Sequence, residues 1–172
     1  MRKRVGAIVG SVILMALTGV APAGAGGTGP SSQAVYHGRK IDLSVSWNGA
    51  QACWISDSGN TCYDSEAEME AAMFSQPSVQ SVVPLLTCSP TLKLYDNTNF
   101  NTPVISLGTR GSWIQLSIFG FSARTSSYIV GGCNSVFEDG SGSVYPGSTS
   151  AGNSAASMVS GWNNRITQVY IS

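Results

Sequence analysis

The chain has 172 residues, of which 42% are hydrophobic, with nine basic and nine acidic side chains. This length suits one main domain with a modest core. Three of the basic residues stand at positions 2–4, so the remainder carries six Lys and Arg residues against nine Asp and Glu residues. That balance lacks the basic excess of a general nucleic-acid binder or of a protein that binds acidic membranes.

The first 25 residues have the three parts of a secretory signal peptide. A basic start at positions 2–4 precedes an apolar run at positions 5–20, and Ala23-Gly24-Ala25 is a small-x-small cleavage site. The run is too short for a membrane span, and no later stretch approaches the roughly 20 apolar residues that a span needs. We therefore predict a signal peptide at residues 1–25 and a secreted, extracellular protein without a membrane span.

Four cysteines follow, and in an exported chain an even number predicts disulfides. Three pairings are possible. We favour Cys53–Cys62, because the intervening residues include the turn-forming stretch 57–60, and this leaves Cys88–Cys133. Zinc binding is the alternative, but the spacing is not that of paired CxxC motifs and the compartment favours oxidation.

Residues 26–52 are predicted to form a flexible leader followed by a short strand. The leader, GGTGPSSQ, is small and polar. Alternating apolar residues that would share one strand face follow it, namely Ile41, Leu43, Val45 and Trp47.

Residues 53–87 are predicted to contain the cysteine hairpin, one short helix and a linker. Ser65 and Glu68 have capping-box spacing, in which each side chain satisfies a free N–H of the first turn. Glu66 and Glu70 stand one turn apart and resemble a catalytic pair. A solvated helix face is the interpretation that we favour for them.

Residues 88–172 read as a β domain, because short runs of β-forming residues alternate with Gly, Asn, Ser and Pro. This region also repeats itself after about forty residues. The matching segments are Tyr95-Asp96-Asn97 with Phe137-Glu138-Asp139, Gly120-Phe121 with Gly161-Trp162, and Arg124 with Arg165. Each copy alone would expose an apolar face, so we expect the two copies to close on each other and to bury Trp113 and Trp162.

These residues resemble a βγ-crystallin-like domain, which consists of two Greek-key motifs. The aromatic, acid-rich start of a motif is seen in Tyr95-Asp96 with Phe100, and SARTSS (122–127) and NNRITQ (163–168) occupy the place of its Asn/Asp and Ser/Thr pattern. The stretch GSWIQLSIFGFSARTSSYIVGGC is similar to an exported bacterial peptidase inhibitor family that includes small metalloproteinase inhibitors. The resemblance implies an all-β sandwich of two Greek keys, preceded by the disulfide hairpin and the helix.

The resemblance also implies calcium sites between the two motifs. Asn164, Thr167 and the Arg165 carbonyl would serve one site, while Ser126 remains in the other, where Ala123 replaces an oxygen-bearing residue. None of these groups is a carboxylate, and hard cations take six to eight oxygens. We therefore expect no required cofactor and at most weak Ca²⁺ binding. The alternative is that these side chains hold the turns by bonding to the backbone.

Catalysis has little support in the sequence. His37 is the single histidine, and a nucleophile–histidine pair would depend on it alone. Glu138 and Asp139 are adjacent, so on a strand they point to opposite faces. We expect a secreted, non-enzymatic binding protein of the peptidase-inhibitor type, with a secreted peptidase as partner. The alternative is an extracellular calcium-binding or structural βγ-crystallin module.

Overall fold

The structure is a computed structural model that describes residues 31–75, 88 and 91–172. Within this range the chain forms eleven short strands, one α-helix and one 3₁₀-helix, which confirms the expected all-β class with a single short helix. The predicted signal peptide and the linker at 76–87 lie outside the described residues.

The strands form two sheets. In chain order they are β1 (Gln33–Tyr36), β2 (Arg39–Asp42), β3 (Ala52–Ser56), β4 (Gly59–Tyr63), β5 (Leu92–Tyr95), β6 (Val104–Leu107), β7 (Trp113–Gln115), β8 (Ser127–Ile129), β9 (Ser135–Asp139), β10 (Ser154–Ala155) and β11 (Ile166–Ile171). The larger sheet has the order β10-β8-β5-β6-β3-β4-β1-β2, and the smaller has the order β7-β11-β9.

The two copies of the repeat exchange one strand each. In the larger sheet β5, β6 and β8 come from the first copy, and β10 of the second copy pairs with β8. In the smaller sheet β9 and β11 come from the second copy, and β7 of the first copy pairs with β11. Each copy therefore completes the sheet of the other.

The repeat has a different register from the one read in the sequence. Tyr128 and Val169 are equivalent, because each lies four residues after the repeated arginine of its copy. Leu94 pairs with Tyr128 and Phe137 pairs with Val169. Phe137 therefore corresponds to Leu94 and not to Tyr95. Leu94 and Phe137 both face the core between the sheets. Tyr95 faces the other side of the larger sheet, because neighbouring strand residues point in opposite directions.

The first half of the chain continues the larger sheet. β3 pairs in parallel with β6, and β1 pairs in parallel with β4, so the sheet crosses the boundary predicted near residue 87. Cys53 and Cys62 lie opposite each other in the hairpin of β3 and β4 and form a disulfide. Cys88 and Cys133 form the second disulfide, so both bonds have the pairing that we favoured.

The strand expected from Ile41 to Trp47 ends early. The Asp42 carboxylate accepts a hydrogen bond from the Ser44 N–H (3.0 Å), and the Asp42 carbonyl accepts one from the Val45 N–H (3.1 Å), so the chain turns there. Val45 is consequently 82% exposed. Trp47 is buried and donates its indole N–H to the Phe119 carbonyl at 2.7 Å.

The helix α1 (Glu66–Ser75) packs on the outer face of the larger sheet. The Ser65 hydroxyl accepts the Glu68 N–H at 3.2 Å, which confirms the expected cap. The Glu68 carboxylate instead accepts the N–H of Asp64, the residue before the cap, at 3.2 Å. Met69 is fully buried against Tyr95 and the neighbouring strands. The molecule therefore has three layers: helix, larger sheet and smaller sheet.

Glu66 and Glu70 do not form the solvated helix face that we favoured. Both carboxylates pair with Lys93 of β5, Glu66 at 2.7 Å, and Glu66 also accepts the Tyr95 hydroxyl proton at 2.7 Å. Burial opposes the charge on Lys93, but the two carboxylates outweigh it and raise the pKa of that ammonium. Burial raises the pKa of the Tyr95 hydroxyl, and the hydrogen bond to Glu66 raises it further.

Trp113 is not buried as expected. It lies on the outer face of the smaller sheet, is 41% exposed, and packs beside Tyr170 with the ring centroids 5.7 Å apart. Its neighbour Ile114 takes the inward position and is fully buried. Trp162 is partly buried against the core, next to Tyr145.

Candidate functional site

Two turns, one from each copy, meet where the sheets face each other; we call them the paired turns (residues 120–126 and 161–167). Ala123 and Asn164 both have φ of 56°, a left-handed conformation that Asn tolerates better than Ala. The Ala123 N–H donates to the Ile166 carbonyl at 2.8 Å, and the Asn164 N–H donates to the Thr125 carbonyl at 3.0 Å. The paired turns therefore hold each other by reciprocal backbone bonds.

Each paired turn contains an arginine with the same set of contacts. Arg124 donates to the Gly120 carbonyl at 3.1 Å and lies 5.1 Å from the ring centre of Phe121. Arg124 also donates to both oxygens of Asp96, at 3.2 and 2.7 Å. A cation over an aromatic face and a two-point carboxylate pair both fix the side chain.

The second copy repeats this arrangement. Arg165 donates to the Gly161 carbonyl at 3.1 Å, lies 4.7 Å from the ring centre of Trp162, and pairs with Asp139. The repeated glycine, aromatic and arginine of the sequence therefore build one structural unit twice.

Asp139 has more partners than its counterpart Asp96. Its carboxylate accepts hydrogen bonds from the hydroxyl and N–H of Ser141 (2.6 and 2.9 Å), from the Ser143 N–H (3.0 Å) and from Arg165. The bonds from Ser141, Ser143 and Arg165 hold the pKa of this buried carboxyl well below its usual range.

Two of the predicted calcium ligands meet across the copies. The Ser126 hydroxyl donates to the Asn164 side-chain oxygen at 3.0 Å, whereas the sequence grouped Asn164 with Thr167. The Thr167 hydroxyl instead contacts the Glu138 carbonyl at 3.4 Å. The Arg165 guanidinium pairs with Asp139, and the ligand role expected for the Arg165 carbonyl stays a prediction.

These groups do not fit a full calcium shell. Ser126 and Asn164 bring two neutral side-chain oxygens, while calcium takes six to eight oxygens, usually with carboxylates among them. The Asp139 carboxylate is already bonded to Arg165 and to backbone N–H groups, and the Asp96 carboxylate is bonded to Arg124. Among the residues that the structure describes, no group of three or more His, Cys, Asp or Glu side chains could hold a metal ion.

His37 lies at the surface beside Asp64. Its Nε2 is 2.9 Å from the Asp64 carboxylate, which also accepts the Tyr36 hydroxyl proton. The hydrogen bond from Tyr36 makes the largest contribution to lowering the pKa of Asp64, and the hydrogen bond from His37 lowers it further. In the described part of the chain, the hydrogen bonds of His37 do not include a serine, threonine or cysteine nucleophile.

A short exposed segment between β6 and β7 was not singled out in the sequence; we call it the 108–112 loop. The Gly108 N–H donates to the Ile55 carbonyl, the Thr109 hydroxyl donates to the Asp57 carboxylate, and the Gly111 N–H donates to the Ile171 carbonyl, each at 2.8 Å. Its sequence, Gly-Thr-Arg-Gly-Ser between two apolar runs, indicates a loop but does not reveal these partners.

The 108–112 loop borders a groove of about 670 Å³. Most of the residues that line it are polar, among them Gln33, Ser56, Asp57, Asn60, Arg110 and Ser112. The Arg110 guanidinium is exposed and lies 3.4 Å from the Cys88 sulfur, so the loop sits directly beside the Cys88–Cys133 disulfide.

The chain matches no family model, no curated protein and no solved structure. Within the described ranges, no helix is long and apolar enough to cross a membrane.

Proposed function

We propose that this chain is a secreted, non-enzymatic inhibitor of a peptidase, built on a βγ-crystallin-like sandwich of two Greek-key motifs. The strand exchange and the reciprocal bonds of the paired turns support the two-motif architecture. Two disulfides, together with the signal-like start of the sequence, support an extracellular location.

The anchored 108–112 loop is the observation that carries the proposal. Three hydrogen bonds to three separate places in the fold fix the loop before and after Arg110, which is exposed together with Gly111 and Ser112. A loop that is ordered before binding loses less conformational entropy when a partner binds it. Cleavage of such a loop requires local opening, which the anchoring bonds and the neighbouring disulfide oppose.

The test is a panel of secreted metallo-, serine and cysteine peptidases, each assayed with a chromogenic substrate in the presence of the purified mature protein. We expect inhibition of at least one peptidase at concentrations near that of the enzyme. A folded protein that inhibits none of them would overturn the proposal, and bovine serum albumin at the same concentration controls for non-specific protection.

The second candidate is an extracellular calcium-binding or structural module, and the Ser126–Asn164 contact favours it, because side-chain oxygens from both copies converge there. Calorimetric titration of chelator-treated protein with calcium separates the candidates. The donor set predicts at most weak binding, with Kd of about 10⁻⁴–10⁻³ M. Two tight sites that weaken on Asn164→Ala substitution would favour this module over the inhibitor.

A further inference from the structure

We propose that Arg110 is the primary recognition residue of the 108–112 loop and that its partner is a serine peptidase of trypsin-like specificity. This inference rests on the proposed inhibitor function and names the class of peptidase. Such enzymes bind an arginine side chain in a deep pocket that ends in a carboxylate. The partner is therefore recognised by charge complementarity.

Within the described residues, Arg110 is outside every ion pair. Of the six lysines and arginines in the described residues, Lys93, Arg124 and Arg165 form ion pairs with carboxylates. Arg110 has no carboxylate partner in that part of the chain, and its close polar contact is the Cys88 sulfur at 3.4 Å, a weak acceptor. Its guanidinium can therefore enter an acidic pocket without breaking any ion pair of residues 31–75, 88 and 91–172.

The backbone around Arg110 suits the binding cleft of a peptidase. Residues 108–110 form neither a turn nor a bend, and the chain bends only at 111–112. Peptidases bind their substrates as extended segments through main-chain hydrogen bonds. The bonds at Gly108 and Thr109 precede Arg110 and the bond at Gly111 follows it, so the exposed residue projects from a fixed frame.

The same bonds oppose completion of cleavage. Attack by the peptidase serine on the Arg110 carbonyl would form an ester and release the Gly111 amine, with the serine proton passing through the catalytic histidine to that amine. The Gly111 nitrogen is held by the Ile171 carbonyl at 2.8 Å. It therefore stays beside the ester, and its return attack, which restores the peptide bond and the serine hydroxyl, competes with water.

The experiment measures the inhibition constants of the mature protein against trypsin and against the metallo- and cysteine peptidases of the panel. We expect Arg110→Ala to weaken trypsin inhibition at least about 30-fold, as for a hot-spot residue. Arg110→Lys keeps the positive charge and should retain inhibition within about tenfold. Arg39→Ala is the matched control, since Arg39 is also exposed and outside the ion pairs of the described residues, and it should leave inhibition unchanged.

The results distinguish this inference from the proposed function. Inhibition of a metallopeptidase or cysteine peptidase that Arg110→Ala leaves unchanged would overturn the role of Arg110 while the inhibitor function stands. Rapid trypsin cleavage after Arg110 without inhibition would also overturn that role. Absence of inhibition across the whole panel would overturn both. Equal melting temperatures of the variants and the parent protein show that a loss is not caused by misfolding.

Discussion

At the scale of single residues, the two copies differ in how their acidic residues are held. Among the described residues, the Asp96 carboxylate accepts hydrogen bonds from Arg124 alone, whereas the Asp139 carboxylate accepts the N–H groups of Ser141 and Ser143 as well as Arg165. Hydrogen bonds to an ionised acceptor are stronger than those between neutral groups. The second copy therefore depends more strongly on the ionised state of its acid.

We predict that Asp139→Asn lowers the melting temperature at pH 7 more than Asp96→Asn does. The folded state lowers the pKa of Asp139, so this carboxyl stabilises the protein above its unfolded pKa of about 3.9. That contribution is lost as the pH falls below this value towards the folded pKa. Thermal unfolding at pH 7, 4 and 2 measures the effect, and a penalty for Asp139→Asn that is independent of pH would contradict it.

Thr125 offers a residue change that should stabilise the protein. Its side chain is fully buried, and its hydroxyl finds no hydrogen-bond partner in the described structure, while the equivalent residue of the second copy is Ile166. A buried hydroxyl without a partner costs about 1–3 kcal/mol. We predict that Thr125→Val raises the free energy of urea unfolding by about 1 kcal/mol, with Thr125→Ser as the control that keeps the hydroxyl. A loss of stability on Thr125→Val would show that the hydroxyl has a partner in solution.

At the scale of secondary structure, α1 is held to the sheet by charge as well as by apolar packing. The Lys93 side chain is only 13% exposed and lies between Glu66 and Glu70. Its removal would leave two neighbouring carboxylates without their cation.

We predict that Lys93→Met lowers the free energy of unfolding by about 1–3 kcal/mol, because partly buried carboxylates lose a charged partner. Glu70→Gln should cost less, since the Glu70 side chain is 43% exposed. Circular dichroism during urea unfolding measures both variants. A Glu70→Gln penalty equal to that of Lys93→Met would show that burial does not decide the cost.

The sequence predicts local elements of this fold better than the pairing between distant ones. The Ser65–Glu68 cap and the Cys53–Cys62 hairpin depend on neighbouring residues, and the structure has both. The predicted register of the repeat and the predicted burial of Trp113 were wrong, because a shift of one residue moves a side chain to the other face of a strand.

The candidate site could be predicted only in part for the same reason. The repeated arginines are visible in the sequence, but Asn164 meets Ser126 of the other copy only because the paired turns face each other. The anchoring of the 108–112 loop likewise depends on Ile55 and Ile171, which are far from it in the chain.

At the scale of the whole molecule, the two disulfides restrain very different lengths of chain. Cys53 and Cys62 are nine residues apart and Cys88 and Cys133 are 45 residues apart. In the chain-entropy description, these loops correspond to about 2.6 and about 4 kcal/mol of stability. We predict that the double substitution Cys88→Ala with Cys133→Ala destabilises the protein more than Cys53→Ala with Cys62→Ala. Urea unfolding decides this, and the opposite order would show that packing of the buried Cys53 and Cys62 outweighs loop closure.

The proposed inhibitor presents one anchored loop from a disulfide-braced sandwich. Inhibition through a single loop requires a one-to-one complex with a peptidase. The most direct test is an active-site titration of trypsin, in which residual activity is measured against the molar ratio of added mature protein. We expect a linear fall to near zero at a ratio close to one. Unchanged activity at a large excess of folded protein, or a fall that recovers as the protein is digested, would contradict inhibition of trypsin through the 108–112 loop.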